Sequence, residues 1–338
     1  MVVVMQKEAT QEAVNRVLGE IRSLGFQPHV SEGEARTLIG AIGPSPTEEV
    51  REHLRALHGV ETVVRITKPY KLASREFRHD DSTIAVGDVV IGDGAFVVAA
   101  GPCGVESGDQ LGRAADIARR HGARILRGGA FKPRTSPYAF QGLGTEGLRL
   151  LQEARERTGM PIVTEVTSPE LVEVVAEAAD MLQIGARNTQ NFALLAEVGR
   201  ADRPVLFKRG MSTSISEYLQ AAEYILSQGN PNVVLCERGI RTFETATRFT
   251  LDVSAVPVLK ELSHLPVWVD PSHAAGRRNL VPSLALAAAA AGADGLIVEV
   301  HPAPEEARSD AAQQLDEAEF GTLMDRLRGV VGALGKRL

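Results

Sequence analysis

The stretch FVVAAGPCGVESGDQLGRAADIARRHGARILR, residues 96–127, decides the fold. It opens on an apolar run, Phe96–Ala100, passes through a helical stretch and closes on a second run, Arg124–Arg127. Near-continuous apolar runs of this length, joined by an amphipathic helix, belong to parallel strands buried on both faces. The unit recurs along the chain. Further runs lie at Ile162–Val166, Met181–Ile184, Val205–Lys208, Val233–Glu237, Val267–Asp270 and Gly295–Val300, and a helical stretch follows each. Eight such units predict a closed (β/α)8 TIM barrel rather than a doubly wound sheet.

Working outward, a hairpin is expected just before the first barrel strand. Its arms are Thr83–Val86 and Val89–Ile91, bounded by Gly87-Asp88 and Gly92-Asp93-Gly94, and it is placed to plug the bottom of the barrel. Residues 68–82 are charged and read as a linker. Residues 1–67 read strand, helix, strand, strand, helix, strand, the βαββαβ order of a ferredoxin-like domain. Its first helix carries the stripe Ala13, Val14, Val17, Leu18, Ile21, Leu24 and ends at Gly25. The sheet runs of this domain carry only Phe26 as an aromatic, which argues against base stacking. The length of 338 residues suits a barrel plus one small domain.

Composition excludes several classes. A net charge of −6 supplies no general attraction to nucleic acid or anionic membrane. Cys103 and Cys236 are the only cysteines, so no disulfide framework exists and a reducing cytoplasm is the expected compartment. The apolar start Val2–Met5 and the alanine run Ala285–Ala291 are both too short to span a membrane. The alanine run reads as a helix packed closely on a sheet.

Active sites of such barrels sit at the C-terminal ends of the strands. Two kinds of group converge there. One is cationic: Arg127, Lys132, Arg134, Arg187, Lys208, Arg209 and Arg238. Gathered on one mouth, these cations repel one another unless anions fill the site or acids such as Glu237 and Asp270 pair with them. The other kind is ligand-like: Cys103, His273, Glu299 and, in the loop beyond the last strand, Asp310. A thiolate, an imidazole and carboxylates suit a first-row divalent ion. Each has an ordinary structural reading singly, but Cys103, His273 and Glu299 fall on strands one, seven and eight, which become neighbours on closure. Gly142-Leu143-Gly144-Thr145-Glu146-Gly147 matches a dinucleotide fingerprint but follows a loop, so a glycine loop entering a helix is the better reading. Cys236, inside strand six, reads as core. His301 reads as lining the active site.

At these residues the chain resembles the 3-deoxy-D-arabino-heptulosonate 7-phosphate (DAHP) synthases. The resemblance is carried by AGPCGVES (100–107), LRGGAFKPRTSPYAFQGLG (126–144), QIGARNTQNF (183–192), LFKRGMSTSISEY (206–218), CERGIRTFE (236–244), DPSHAAGRR (270–278) and EVHPAPEEARSDAAQQL (299–315), in order along almost the whole barrel. It implies condensation of phosphoenolpyruvate with erythrose 4-phosphate at the head of the shikimate pathway. It also implies one divalent cation (Mn, Fe, Co, Zn or Cd) on Cys103, His273, Glu299 and Asp310. Arg127, Lys132, Ala186, Arg187, Lys208 and Arg238 would hold phosphoenolpyruvate, while Lys132, Arg134 and Thr135 would reach erythrose 4-phosphate. Lys132, Lys208, Glu165, Asp270 and His301 are the expected catalytic set. The N-terminal domain resembles the regulatory (ACT-like) domain of one branch of this family, implying inhibition by tyrosine or phenylalanine and a homotetramer. Ala303 stands where the family often carries an acid, at a position outside the ligand set.

Two other readings compete. A 3-deoxy-D-manno-octulosonate 8-phosphate synthase shares the barrel and phosphoenolpyruvate but uses arabinose 5-phosphate. It usually has Asn where this chain has Pro133 and lacks the N-terminal domain. An amino-acid sensor on a degenerate barrel is the alternative from another class, and the full set of cations and ligands argues against it.

Overall fold

The computed structural model describes residues 1–32, 37–64, 68–133, 136 and 138–338. The sequence places a turn at Ser31-Glu32-Gly33-Glu34 and a closing strand at Val60–Ile66; both lie partly outside these residues, and Arg134 and Thr135 lie wholly outside them. The chain divides into two compact units.

The smaller unit comprises Met1–Asp80 with Leu262–His264. Its strands are β1 (Val2–Met5), β2 (Gln27–Glu32), β3 (Thr37–Ile42) and β4 (Val60–Val64), and its helices are α1 (Gln11–Ser23) and α2 (Glu48–Arg55). The strands pair antiparallel in the order β2-β3-β1-β4, the ferredoxin-like arrangement. Both helices start on a threonine, Thr10 and Thr47, whose side chain accepts an otherwise orphaned backbone N–H. The α1 stripe buries Ala13, Val14, Val17 and Ile21 against Val3, Met5, Ile39 and Val63 of the sheet. Residues 68–80, read from their charge as a linker, also bury Tyr70, Leu72, Ala73 and Phe77 in this unit. The Phe77 ring lies so close over Gly40 that a Cβ there would come within 2.8 Å of it. These apolar residues are separated by charged ones, and no helix or strand period reveals them.

The larger unit is a closed barrel of eight parallel strands. They are β7 (Val97–Gly101), β8 (Ile125–Arg127), β9 (Ile162–Glu165), β10 (Met181–Ile184), β11 (Val205–Lys208), β12 (Val233–Glu237), β13 (Val267–Val269) and β14 (Gly295–Glu299), and β14 pairs with β7 to close the ring. Each strand agrees with its expected run to within a residue or two. The expected hairpin is present as β5 (Ile84–Val86) and β6 (Val89–Ile91). Its Ile84, Val86, Val89 and Ile91 join one apolar cluster with Val97, Ile125, Met181, Leu206 and Trp268, and so close the end of the barrel from which the strands start. Cys236 belongs to the same cluster and is core. Gly144 is the residue before the helix Thr145–Thr158, as a glycine loop entering a helix requires. The alanine run forms the helix Val281–Ala290, which buries Ala285, Ala288 and Ala289. Among the described residues no helix is long and apolar enough to cross a membrane.

Candidate active site

Closure of the barrel brings β13, β14 and β7 side by side, so their C-terminal ends meet. Cys103 follows β7, His273 lies in the short helix Pro271–Ala275 after β13, and Glu299 ends β14. Asp310 arrives by a different route. The loop after β14 returns to the sheet, where Val300 bridges Leu315 and the Leu315 N–H donates to Glu299 O at 2.9 Å. That return carries Asp310 over the mouth with φ +49°, a left-handed conformation that Asp tolerates better than most residues. One donor atom from each of Cys103, His273, Glu299 and Asp310 lies within 4.8 Å of the others.

The imidazole is oriented for this cluster. His273 Nδ1 lies 2.7 Å from Asp270 Oδ2, a carboxylate that can only accept, so Nδ1 carries the proton and Nε2 presents its lone pair. Nε2 sits 3.4 Å from Glu299 Oε1 and 3.7 Å from Asp310 Oδ2. Burial holds the His273 pKa below its ordinary value even against Asp270 and Glu299, so the ring is neutral at neutral pH. Burial, with Glu299 and Asp310 nearby, pushes the Cys103 thiol up to about 11, against Lys132 and Arg127. The thiol donates to Asp310 Oδ2 at 3.4 Å and accepts from Lys132 Nζ at 3.0 Å. Burial works against the Glu299 carboxylate, but His273, charged at the acid pH where this carboxyl titrates, outweighs it together with Arg127 and Lys132, and the pKa is held at about 2. This donor set fits a divalent cation: a neutral imidazole lone pair, a carboxylate already ionised and a thiol lacking only positive charge to lose its proton.

Beside the cluster lies a polar cavity of about 260 Å³ lined by Lys132, Pro133, Ser136, Ala139, Glu165, Arg187, Arg248, His273 and Asp310. Lys132 Nζ reaches Cys103 O at 2.9 Å across Gly129, where a Cβ would collide with both. Burial disfavours its charge, yet Cys103, Glu299 and Glu165 keep its pKa above the ordinary lysine value. Arg127 donates from Nη1 to Glu299 Oε1 at 2.8 Å and to Pro102 O at 3.0 Å, while its buried Nε has no acceptor among the described residues. Arg238 is buried against the Phe249 ring at 4.3 Å, and its Nη1 also lacks an acceptor. Burial lowers the Arg238 pKa, with Arg248 and Arg187 adding repulsion. Buried guanidinium N–H groups left open in this way are what a phosphate or carboxylate oxygen satisfies.

The other expected residues divide. Glu165 lines the cavity and is steadied by Gln183 Nε2 at 3.3 Å. It lies flat across Gly185, where a Cβ would fall 2.0 Å from its Oε1. Ala186 opens the short turn Ala186–Asn188 that sets Arg187 at the cavity wall. Lys208 is buried against Asp270 Oδ2 at 2.5 Å, and Arg209 is neutralised by Glu237 at 2.9 Å and Asp252 at 2.8 Å. His301 does not line this cavity. Its Nδ1 accepts from Ala303 N at 3.1 Å, and Nε2 faces Glu106 at 3.8 Å. The sequence reading also passed over Gln313, Gln314 and Arg248. Gln313 Nε2 donates to Glu299 Oε2 at 2.7 Å, and Gln314 Oε1 accepts from Cys103 N at 3.0 Å. Both lie inside the quoted stretch 299–315, whose two adjacent glutamines were the available signal.

Fold and mouth together define a TIM-barrel enzyme built to hold a cation and phosphorylated anions. The chain belongs to the DAHP synthetase I family, whose model matches residues 39–330, and the model of the DAHP synthase ferredoxin-like domain matches residues 1–68. It is 50% identical to the phospho-2-dehydro-3-deoxyheptonate aldolase of Thermotoga maritima over the whole of both chains. The crystal structure of that DAHP synthase superposes with a TM-score of 0.79, covering 99% of this chain and 98% of that one. A truncated form of the Thermotoga enzyme superposes at 0.74 over 79% of this chain and 98% of its own. Relatives named 2-dehydro-3-deoxyphosphooctonate aldolase are more distant and partial. That of Geobacter sulfurreducens is 31% identical, matching over 73% of this chain and 97% of its own.

Proposed function

We propose that this chain condenses phosphoenolpyruvate with erythrose 4-phosphate and water to give DAHP and inorganic phosphate. The observation that carries this reading is the four-donor cluster of Cys103, His273, Glu299 and Asp310 opening onto a cavity walled by Lys132, Arg187 and Glu165. A divalent cation held by those donors supplies Lewis acidity toward an aldehyde oxygen. The protein's own groups do the rest. Arg127, Arg187 and Arg238 hold the anionic groups of phosphoenolpyruvate, two of them with N–H groups that have no acceptor among the described residues. C3 of phosphoenolpyruvate attacks the aldehyde carbon, and the Lys132 ammonium gives its proton to the new alkoxide oxygen. Positive charge develops at C2, where water adds, and the resulting hemiketal phosphate loses phosphate by C–O cleavage. Glu165 faces the cavity whereas Lys208 is engaged by Asp270, which favours Glu165 for orienting that water. Asp270 acts on His273 and Lys208 from behind. Arg134 and Thr135, beside Pro133, are proposed for the phosphate of the aldose.

Residues 1–67 are proposed as a regulatory domain for tyrosine or phenylalanine, in a homotetramer, on the strength of the ferredoxin-like match at residues 1–68. The test is phosphate release from the two substrates after EDTA treatment and cation add-back, with and without Tyr or Phe, and with arabinose 5-phosphate in parallel. The expected result is cation-restored turnover with erythrose 4-phosphate only. Turnover of arabinose 5-phosphate instead, or of neither sugar under any cation, refutes the reading.

A further inference from the structure

We propose that Arg248 is a phosphate-binding residue of this mouth and that its guanidinium becomes available when a cation neutralises Asp310. This rests on the functional reading above and adds to its anion site a residue that the sequence did not point to.

Arg248 is carried firmly. Its backbone N–H donates to Ala275 O at 3.2 Å. Its stem lies on Gly276, which takes φ +64° and where a Cβ would fall 2.4 Å from Arg248 Cβ. Its guanidinium stands 5.9 Å from the Phe249 ring on which Arg238 also packs, and it lines the same cavity as Lys132. Its partners here are Asp310 Oδ1 at 3.4 Å and Gln313 Oε1 at 3.1 Å. The first contact is long against the ~2.7–2.9 Å of a strong charge-assisted bond. Asp310 faces two ways, because its Oδ2 points into the donor cluster, 3.4 Å from Cys103 Sγ and 3.7 Å from His273 Nε2. A cation on Oδ2 draws off the charge that holds Arg248, leaving it with a neutral amide. Arg187, Arg238 and Arg248 then share one field with less negative charge among them, and a phosphate monoester is the anion that relieves it. Cation and phosphoester binding thereby favour each other.

The test is calorimetry on full-length, EDTA-treated protein. Phosphoenolpyruvate, erythrose 4-phosphate and inorganic phosphate are titrated separately into wild type, R248M and R248K, each with and without Mn²⁺. Met keeps the stem on Gly276, and Lys keeps the charge without the fork. With Mn²⁺, R248M is expected to bind at least one phosphoester roughly ten- to hundredfold more weakly, with R248K between. The loss is expected to be clearly smaller without Mn²⁺. Whichever substrate shows the effect is the one Arg248 holds. Unchanged phosphoester affinity, or an equal loss with and without cation, overturns the proposal. A variant that loses only Mn²⁺ affinity makes Arg248 a strut for Asp310 and also overturns it. Turnover by wild type is measured alongside. Its absence would sink the functional reading, while the inorganic phosphate titrations would still decide Arg248.

Discussion

Replacing Glu299 with glutamine in cation-free protein isolates the electrostatics of the site. Glu299 is buried, accepting from Arg127 Nη1 at 2.8 Å on one oxygen and from Gln313 Nε2 at 2.7 Å on the other. Its pKa falls from 4.5 to about 2, with burial opposed and outweighed by His273, Arg127 and Lys132. At 1.36 kcal/mol per unit, that depression corresponds to at most ~3 kcal/mol of folding stability, because the His273 share of it is present only in acid, where the ring is charged. Breaking a buried ion pair from one side costs a similar ~3–5 kcal/mol, because the partner, here Arg127, stays buried without its counter-charge. The sign follows from linkage: the stabilisation is complete above pH 4.5 and disappears as the pH falls through about 2. E299Q is therefore expected to unfold about 3 kcal/mol more easily at pH 7, with the gap to wild type narrowing below pH 4.5. Trp268 is the only tryptophan and is buried in the barrel core, so its fluorescence during urea unfolding reports this unit alone. A difference under about 1 kcal/mol at pH 7, or one that does not narrow in acid, would refute the argument.

Three further outcomes are expected. With the Cys103 thiol pushed up to about 11, cation uptake near neutral pH should release about one proton and weaken as pH falls; C103S should lose that proton release together with affinity and activity, and calorimetry in buffers of different ionisation enthalpy reads it. D270N frees the His273 ring and leaves Lys208 without its counter-charge, so cation affinity should drop by about 10- to 100-fold in competition with a chromogenic chelator; an unchanged affinity removes Asp270 from its orienting role. G185A keeps an ordinary backbone at φ −69° but sets a methyl 2.0 Å from Glu165 Oε1, so kcat should fall on the order of 10²-fold with KM for phosphoenolpyruvate little changed, and full activity would mean that Glu165 does not place the water.

The sequence by itself determined the barrel, the hairpin plug and the meeting of Cys103, His273 and Glu299, while Asp310 entered the donor set through the family resemblance. Each follows from local information. An apolar run and its amphipathic helix reveal a βα unit, eight units imply closure, and closure makes the ends of β7, β13 and β14 neighbours. What only the tertiary structure decided is which charges are free. Lys208 and Arg209 look like Arg238 in the sequence, yet the first two are paired with Asp270, Glu237 and Asp252, while Arg238 keeps an N–H without an acceptor among the described residues. His301 turned toward Glu106 and not into the cavity, and Arg248 and Gln313 joined the site from loops with no strand register to announce them. The physical reason is range. Periodicity is set by neighbours a few residues away, whereas an ion pair depends on ångström-scale side-chain positions set by packing between segments far apart in the chain, such as Lys208 and Asp270 or Arg127 and Glu299.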